Sequence, residues 1–132
     1  MDRVFLDANV LFAAAYRPAS GLLRLWKVPR VTLVTSDYAI EEARRNLPQP
    51  AQRATLDRLA ERTEMVRGTF DGVPLPGSVK LPDDDKPILR AAIAARCTCL
   101  LTGNLRDFGP YLDTAVGGVV IRRPAAFLAG HK

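Results

Sequence analysis

Two kinds of apolar pattern alternate along the chain. Short runs rich in β-branched or aromatic side chains predict buried strands, and stretches with apolar residues every three or four positions predict helices. Strands are predicted at 4–6, 31–35, 65–67, 97–102 and 119–121. Helices are predicted at 10–15, 21–27, 37–47, 51–63 and 84–96, with single helical turns at 108–112 and 124–128.

This alternation of strands and helices predicts β/α crossovers and a parallel sheet covered on both faces, which is a three-layer α/β/α architecture. The segment 68–82 has no periodicity and is rich in Gly and Pro, so we interpret it as a loop crossing the molecule. The chain beyond this loop is too short to fold alone. We therefore expect residues 1–132 to form a single domain.

The first predicted strand stops at Asp7, an acid that would be costly inside a core without a cation or hydrogen-bond donors. At the carboxyl end of a parallel strand, however, it would open into the crevice where α/β sheets bind ligands. The alternative is that Asp7 only caps the next helix. The choice depends on whether further acids follow other strands.

The composition adds a basic balance and few other signals. Nineteen Lys and Arg stand against fourteen Asp and Glu, and the predominance of Arg favours contact with phosphate, which weakly indicates nucleic acid. Cys97 and Cys99 are too close in sequence for an ordinary disulfide, and we expect buried thiols rather than a metal site. No apolar run is long enough for a membrane span and no secretion leader is evident, so a cytoplasmic protein is expected.

Acids and amides follow several of the predicted strands. In a parallel sheet these positions lie on one edge, and they comprise Asp7 and Asn9, Glu41 and Glu42, Asp83 to Asp85, and Asn104 with Asp107. The helix dipole alone explains one or two acids of the triplet, but three adjacent carboxylates repel and favour a nearby cation. Carboxylates and amides without His or thiol ligands favour Mg²⁺ or Mn²⁺ over zinc. Two such ions can activate a water and stabilise the leaving oxygen of a phosphodiester.

The ordered set of motifs resembles the PIN-domain family, the Mg²⁺-dependent ribonucleases that include the VapC-type toxins of bacterial toxin–antitoxin pairs. No single motif is specific, but the four occur in family order and span essentially the whole chain. They are Leu6-Asp7-Ala8-Asn9-Val10, the stretch 36–47 (SDYAIEEARRNL), Asp84-Asp85-Lys86-Pro87-Ile88-Leu89 and Leu101-Thr102-Gly103-Asn104-Leu105-Arg106-Asp107-Phe108.

The resemblance implies roles for individual residues. Asp7 and Asp85 correspond to the principal metal-binding acids, Glu42 to the family's helix glutamate, and Asn104 with Asp107 to the closing acid–amide loop. Many relatives carry an acid where Asn104 stands, so either Asp107 supplies that charge or the metal is held more weakly. Four further residues are candidates for supporting or alternative roles: Asn9, Thr102, Glu41 and Asp84.

Two of these assignments have close competitors. Glu42 is preferred to Glu41 because it stands five residues before Leu47, and Asp85 to Asp84 because it stands three residues before Ile88. Thr102 is a candidate hydrogen-bond donor to a carboxylate, although a buried strand threonine explains it equally well.

The function implied is Mg²⁺-dependent endoribonuclease activity, with Asp7, Asp85 and Asp107 holding metal, Asn104 as a further metal ligand, and Glu42 orienting metal or water. The resemblance further implies a cognate antitoxin, and it suggests a homodimer that could use Leu22 and Trp26 if these are not core residues.

Two other functions compete with this one. The stronger is a non-catalytic relative that binds RNA or a protein partner. A phosphotransfer domain with Asp7 as acceptor is disfavoured, because no Lys follows a strand to hold the phosphoryl group.

Overall fold

The computed structural model describes residues 2–131, which form a six-stranded sheet flanked by helices. The strands are β1 (Asp2–Leu6), β2 (Val31–Ser36), β3 (Glu64–Val66), β4 (Cys99–Leu101), β5 (Ala115–Val116) and β6 (Val119–Arg122). The α-helices are α1 (Ala8–Tyr16), α2 (Asp37–Asn46), α3 (Pro50–Glu61), α4 (Lys86–Ala94), α5 (Leu105–Phe108) and α6 (Pro124–Ala129). Two 3₁₀ helices occupy Gly21–Lys27 and Gly109–Tyr111.

The strand order β3-β2-β1-β4-β6-β5 contains one reversal of direction. The chain steps outward from β1 to β2 and β3, then returns past β1 to β4 and β6, and all of these neighbours pair in parallel. Because crossovers between parallel strands are right-handed, the reversal places α4 on the face opposite α1, α2 and α3. The predicted three-layer α/β/α fold with a central parallel sheet is confirmed, with the addition of one antiparallel edge strand, β5.

The hydrophobic core is continuous from β1 to α6. Phe5 and Leu6 of β1, Leu100 and Leu101 of β4 and Phe127 of α6 are almost completely inaccessible to solvent. A strand with both faces covered by helices is buried on both sides, which is why β1 and β4 are uninterrupted apolar runs rather than alternating ones. These two central strands form a rigid base for the polar residues that follow them.

Two helices begin at a different residue from the one predicted. α1 begins at Ala8 rather than residue 10 because Asp7 caps it, so Asn9 lies in the first turn of the helix and not in a loop. α4 begins at Lys86 rather than residue 84, with Pro87 in its first turn, where proline is well tolerated. Asp84 and Asp85 therefore precede the helix.

The later part of the chain differs more from the prediction. The apolar pattern predicts one strand over 97–102, but Arg96 has a left-handed backbone (φ 57°) and β4 begins only at Cys99. α5 starts at Leu105 instead of residue 108, because the Asn104 side chain caps it. Strand β5 is absent from the prediction, since two residues are too short for a periodic pattern.

Both cysteines are free and buried, as predicted. Burial raises the pKa of each thiol to about 12, so Cys97 and Cys99 are protonated at neutral pH. Trp26 belongs largely to the core periphery, where its indole nitrogen donates to the Leu59 carbonyl and to Thr63 Oγ1. None of the helices in residues 2–131 combines the length and the apolar character that crossing a membrane requires.

Candidate active site

A polar crevice of about 720 Å³ opens at the carboxyl ends of β1 and β4. These strands are neighbours, but the connections that leave them run to opposite sides of the sheet. Such a reversal leaves a gap above the strand ends, which is where open α/β sheets bind their ligands. The polar side chains lining the gap are Asp7, Asn9, Glu42, Asn46, Asp84, Asp85, Asn104, Arg106 and Asp107.

Asp7 lies at the floor of this crevice, with 4% of its surface exposed. One carboxylate oxygen, Oδ1, accepts from the Ala8 backbone at 2.7 Å, and Oδ2 accepts from Thr102 Oγ1 at 2.7 Å and from Asn9 Nδ2 at 3.1 Å. Burial raises the pKa of Asp7, whereas these three donors oppose the rise. A carboxylate has about four acceptor positions, so a position on Oδ1 remains for a further partner.

Thr102 and Asn9 tie the ends of β1 and β4 together around Asp7. The buried Thr102 hydroxyl donates to Asp7 and accepts from the Asn104 backbone nitrogen at 3.0 Å. The Asn9 amide oxygen accepts from the Gly103 backbone at 2.7 Å. A Cβ atom on Gly103 would approach Asn9 Oδ1 to 3.2 Å, so a residue without a side chain allows this close contact.

A second polar group forms where the turn before α4 meets the start of α5. The Asn104 amide nitrogen donates to Asp107 Oδ2 at 3.0 Å and lies 3.4 Å from both carboxylate oxygens of Asp85. Its amide oxygen accepts from the Asp107 backbone at 3.2 Å, which directs the NH₂ group toward the two acids. Arg106 Nε pairs with Asp107 Oδ1 at 3.3 Å.

Burial and the neighbouring negative charges raise the pKa values of two acids in the crevice, Asp85 and Glu42. Burial, the hydrogen bond with Asp107 and repulsion from Asp107, Asp7 and Glu42 raise the pKa of Asp85 to about 7. The hydrogen bond from Asn104 instead lowers the pKa of Asp107. Burial and repulsion from Asp7 raise the pKa of Glu42. The site is thus electrostatically unfavourable without a compensating cation.

A sequence model described as "PIN domain" matches residues 3–106, which is most of the chain and includes every polar crevice residue except Asp107. The chain belongs to the PIN-domain family. No match was found among curated protein sequences.

Solved structures support the same fold. The PIN domain resembles a chain in the crystal structure of VapBC2 from Rickettsia felis. In that structure VapBC2 is bound to a DNA fragment from the VapBC2 promoter. The TM-score is 0.68 and the sequence identity 14%, with 92% of this chain and 98% of the matched chain covered. At this identity the likeness concerns the fold.

The structure separates the two pairs of competing acids in this PIN domain. Glu42 lines the crevice, whereas Glu41 is exposed on α2 and outside it. Asp85 is partly buried and contacts Asn104, whereas Asp84 is exposed at the rim, where its backbone carbonyl accepts from the Tyr38 hydroxyl at 2.9 Å. Asp85 occupies the N-cap position of α4 without making a side-chain capping bond. Helix capping therefore does not account for its carboxylate.

The donor set of the crevice fits a hard divalent cation. Asp7, Asp85 and Asp107 offer carboxylate oxygens, and their mutual repulsion is what a cation would relieve. No three His, Cys, Asp or Glu side chains within residues 2–131 already stand together as a metal-binding group. The NH₂ group of Asn104 lies between Asp85 and Asp107.

Several crevice residues of the PIN domain do not stand out in the sequence. Phe12 lines the crevice from α1, Asn46 from α2 and Arg106 from α5. The helical spacing could have identified the first two, because Phe12 stands three residues after Asn9 and Asn46 four residues after Glu42. No sequence signal distinguishes Arg106 from the many other arginines.

Proposed function

We propose that this PIN domain is a Mg²⁺-dependent (or Mn²⁺-dependent) endoribonuclease that hydrolyses phosphodiester bonds of RNA. The observation that carries the proposal is the convergence of five carboxylates on the crevice between β1 and β4 in a protein with a net charge of +5. PIN domains are typically nucleases, and an acidic crevice in a basic protein suits a hard cation together with a polyanionic substrate.

Each acid has a distinct proposed role. Asp7, Asp85 and Asp107 would hold the cation, with Asp7 contributing the remaining acceptor position on Oδ1. The cation, when bound, would supply Lewis-acid activation of water and stabilise charge on the phosphodiester. Burial and the charge of Asp7 raise the pKa of Glu42. Glu42 would therefore act as the base that accepts a proton from the attacking water.

Asn104 is a candidate metal ligand by sequence, but its hydrogen bonds favour a different role. Its amide oxygen already caps α5, and the NH₂ group that faces the acids cannot coordinate a cation. We therefore propose that Asn104 positions Asp85 and Asp107. Asn9 and Thr102 would position Asp7 in the same manner.

Two arginines flank the acids and would hold the RNA backbone. Arg106 lines the crevice, and Arg45 is close enough to Glu42 to oppose the rise in its pKa. A guanidinium can contact phosphate through two parallel hydrogen bonds. The acids would then bind metal while the arginines bind the polyanion beside it.

A second candidate function is a non-catalytic PIN-like domain that binds RNA or a protein partner. The neutral Asn104 between Asp85 and Asp107 favours it, because an amide there reduces the negative charge available to a cation. This candidate predicts RNA binding that is independent of Mg²⁺ and falls steeply with salt, without turnover.

The biological role proposed is that of the toxin of a cytoplasmic toxin–antitoxin pair. The likeness to VapBC2 supports a cognate antitoxin encoded beside this chain. A homodimer is also proposed, although Leu22 and Trp26 in the 3₁₀ helix Gly21–Lys27 are both partly buried and packed against the core. Co-purification of the chain with the product of the neighbouring reading frame tests the partnership.

A matched pair of variants tests the enzymatic proposal. Purified protein is incubated with end-labelled RNA in Mg²⁺ or in excess chelator, comparing Glu42→Gln with Glu41→Gln. We expect chelator-sensitive cleavage by the parent and by Glu41→Gln, and a loss of about 100-fold or more in Glu42→Gln. Specific RNA binding without cleavage by the parent would support the non-catalytic candidate. Equal cleavage rates for the two variants would show that Glu42 has no catalytic role.

A further inference from the structure

The candidate metal ligand Asp85 stands at the end of a connecting segment without regular secondary structure. Residues 67–85 lead from β3 to α4, and the structure describes all of them. Such a segment has no ladder of backbone hydrogen bonds, so individual contacts with neighbouring elements decide where its residues lie. Side chains outside the segment that bond to its backbone include those of Asp37, Tyr38, Arg90 and Tyr111.

The first two residues of α2 hold both ends of this segment. Asp37 Oδ2 accepts from the Gly68 backbone nitrogen at 3.2 Å, and the Tyr38 hydroxyl donates to the Asp84 carbonyl at 2.9 Å. Tyr38 stands four residues before Glu42, so the two side chains lie on the same face of α2. Tyr38 therefore ties the end of the segment to the face of α2 from which Glu42 lines the crevice.

The Tyr38 contact acts on the peptide unit that joins Asp84 to Asp85. A peptide unit is planar, so its carbonyl oxygen and the following N–H group move together. Tyr38 binds the oxygen of this unit, and the Asp85 nitrogen donates to the Pro82 carbonyl at 3.0 Å. Because both sides of the unit are bonded, its rotation is restricted. The direction in which the Asp85 side chain leaves the backbone is restricted with it.

The Asp85 carboxylate depends on this backbone restraint because its own contacts are weak. The Asn104 amide nitrogen lies 3.4 Å from each carboxylate oxygen, which is long for a hydrogen bond. Asp85 also makes no capping bond to α4. The neighbouring acids Asp107, Asp7 and Glu42 repel it when it is ionised. Without a restraint on the backbone, this repulsion would favour a carboxylate turned away from the crevice.

We propose that Tyr38 is a positioning residue for the cation site, and that its hydroxyl keeps the Asp85 carboxylate in the crevice together with Asp7 and Glu42. This inference rests on the proposed metal-dependent function and adds to it a residue outside the set of candidate ligands. Tyr38 is 37% exposed, so its ring contributes little to the core and the hydroxyl is the part that the site uses. Loss of the hydroxyl keeps every oxygen ligand but lets the segment that carries Asp85 move.

The test measures cation binding directly, in the absence of RNA. The complete chain is titrated with Mn²⁺, and the free ion is followed by electron paramagnetic resonance. Tyr38→Phe, which keeps the ring, should bind Mn²⁺ about 10-fold more weakly than the parent, as expected for loss of a contact that orients a ligand. Tyr111→Phe is the matched control, because it removes another phenol hydroxyl that bonds the segment, at Lys80 and away from Asp85. Its Mn²⁺ affinity should equal that of the parent.

Further measurements separate positioning from a general effect on folding. In the Asp85→Asn background, Tyr38→Phe should weaken Mn²⁺ binding no further, because residues that act through one another are not additive. In RNA cleavage, Tyr38→Phe should need about 10-fold more Mn²⁺ for its half-maximal rate but approach the parent rate at saturation. Thermal unfolding in chelator should give similar melting temperatures for the parent and Tyr38→Phe.

The results that contradict this inference differ from those that contradict the nuclease proposal. Parent-like Mn²⁺ affinity in Tyr38→Phe, while the parent binds Mn²⁺ and cleaves RNA, would remove the role of Tyr38 and leave the nuclease proposal standing. An equal loss of affinity in Tyr38→Phe and Tyr111→Phe, or an undiminished loss in the Asp85→Asn background, would show a general effect of the segment and not the positioning of Asp85. A parent that neither binds Mn²⁺ nor cleaves RNA would remove this inference together with the proposed function.

Discussion

Asp7 shows how one side chain can serve the fold and a candidate site together. Its carboxylate caps α1 through the Ala8 backbone nitrogen, and its other oxygen accepts from Thr102 at the end of the neighbouring strand. The capping interpretation and the binding interpretation of the sequence are therefore compatible. A residue used only as a cap would be satisfied at the helix end and would not need a donor from Thr102, the residue that follows β4.

Removing the Thr102 hydroxyl tests how far Asp7 depends on it. In Thr102→Val, the buried Asp7 carboxylate loses a donor at 2.7 Å and the Asn104 backbone loses an acceptor at 3.0 Å. We expect the free energy of unfolding to fall by about 1–3 kcal/mol, the cost of leaving buried polar groups unpaired. Thr102→Ser, which keeps the hydroxyl, should lose much less. Equal stability of the valine and serine variants in urea unfolding would contradict this account.

The raised pKa of Asp85 predicts a pH dependence of stability. Between its ordinary value near 4 and about 7, the folded protein retains a proton that the unfolded chain has released. The stability of the metal-free protein should therefore fall as pH rises through this window, since the ionised carboxylate is disfavoured only in the folded state.

The Asp85 contribution is isolated by comparison with Asp85→Asn. Urea unfolding from pH 4.5 to 7.5 in chelator should show a smaller decline for Asp85→Asn than for the parent. Asp83→Asn, at the exposed neighbouring acid that pairs with Lys86, is the matched control. Adding Mg²⁺ at pH 7.5 should raise the melting temperature of the parent more than that of Asp85→Asn. Identical pH slopes in the parent and Asp85→Asn would exclude this assignment.

At the scale of residues, the sequence predicts which side chains meet but not how they are bonded. Asp7, Asn9, Glu42, Asp85, Asn104 and Asp107 all line one crevice, as expected from their positions after strands and on α2. The direction of the Asn104 amide depends on the cap of α5, which begins three residues earlier than predicted. A spacing pattern contains no information on that orientation.

At the scale of elements, the reversal between β1 and β4 creates the crevice. The long loop 68–82 carries the chain from the β3 side of the sheet back toward α4, and the right-handed crossover rule then places α4 on the opposite face. The sequence predicts the strands and the loop, but the strand order depends on pairing across the whole sheet and cannot be read from local periodicity.

Strand β5 is not predicted from the sequence, although the turn that follows it carries a recognisable hairpin signal. Gly117 and Gly118 join β5 to β6, and both have positive φ, 58° and 85°. Two glycines between apolar residues are a hairpin signal, because tight two-residue turns need left-handed backbone. The strand itself is only two residues long, so its apolar pattern could not have been recognised.

Alanine substitutions in this turn should separate backbone strain from crowding. Both Gly117→Ala and Gly118→Ala require a left-handed alanine, which costs about 1–2 kcal/mol. A Cβ at 117 would also approach Ile93 Cδ1 to 2.7 Å, whereas nothing lies within 4 Å of a Cβ at 118. Gly117→Ala is therefore expected to be the less stable of the two in thermal unfolding. Gly21→Ala, with open space and no positive φ, is the control, and similar stability of all three variants would contradict the turn assignment.

At the scale of the whole molecule, opposite charges are segregated. The chain has a net charge of +5, yet the described residues that line the crevice include five acids and only one arginine. Salt bridges such as Arg44 with Asp57 and Arg3 with Glu64 use some of the basic side chains elsewhere. A basic exterior around an acidic crevice suits a polyanionic substrate and a cation bound between it and the protein.

The most direct test of the central claim is RNA cleavage by the Asp7→Asn variant. Asn retains an oxygen to accept from the Ala8 backbone but removes the buried negative charge, and Asp2→Asn, at the opposite end of β1, is the matched control. With folding verified by circular dichroism, we predict Mg²⁺-dependent, chelator-sensitive cleavage by the parent and by Asp2→Asn, and a loss of roughly 100-fold or more in Asp7→Asn. Cleavage by Asp7→Asn at the parent rate, or cleavage by the parent that persists in chelator, would contradict the assignment of the crevice as a metal-dependent nuclease site.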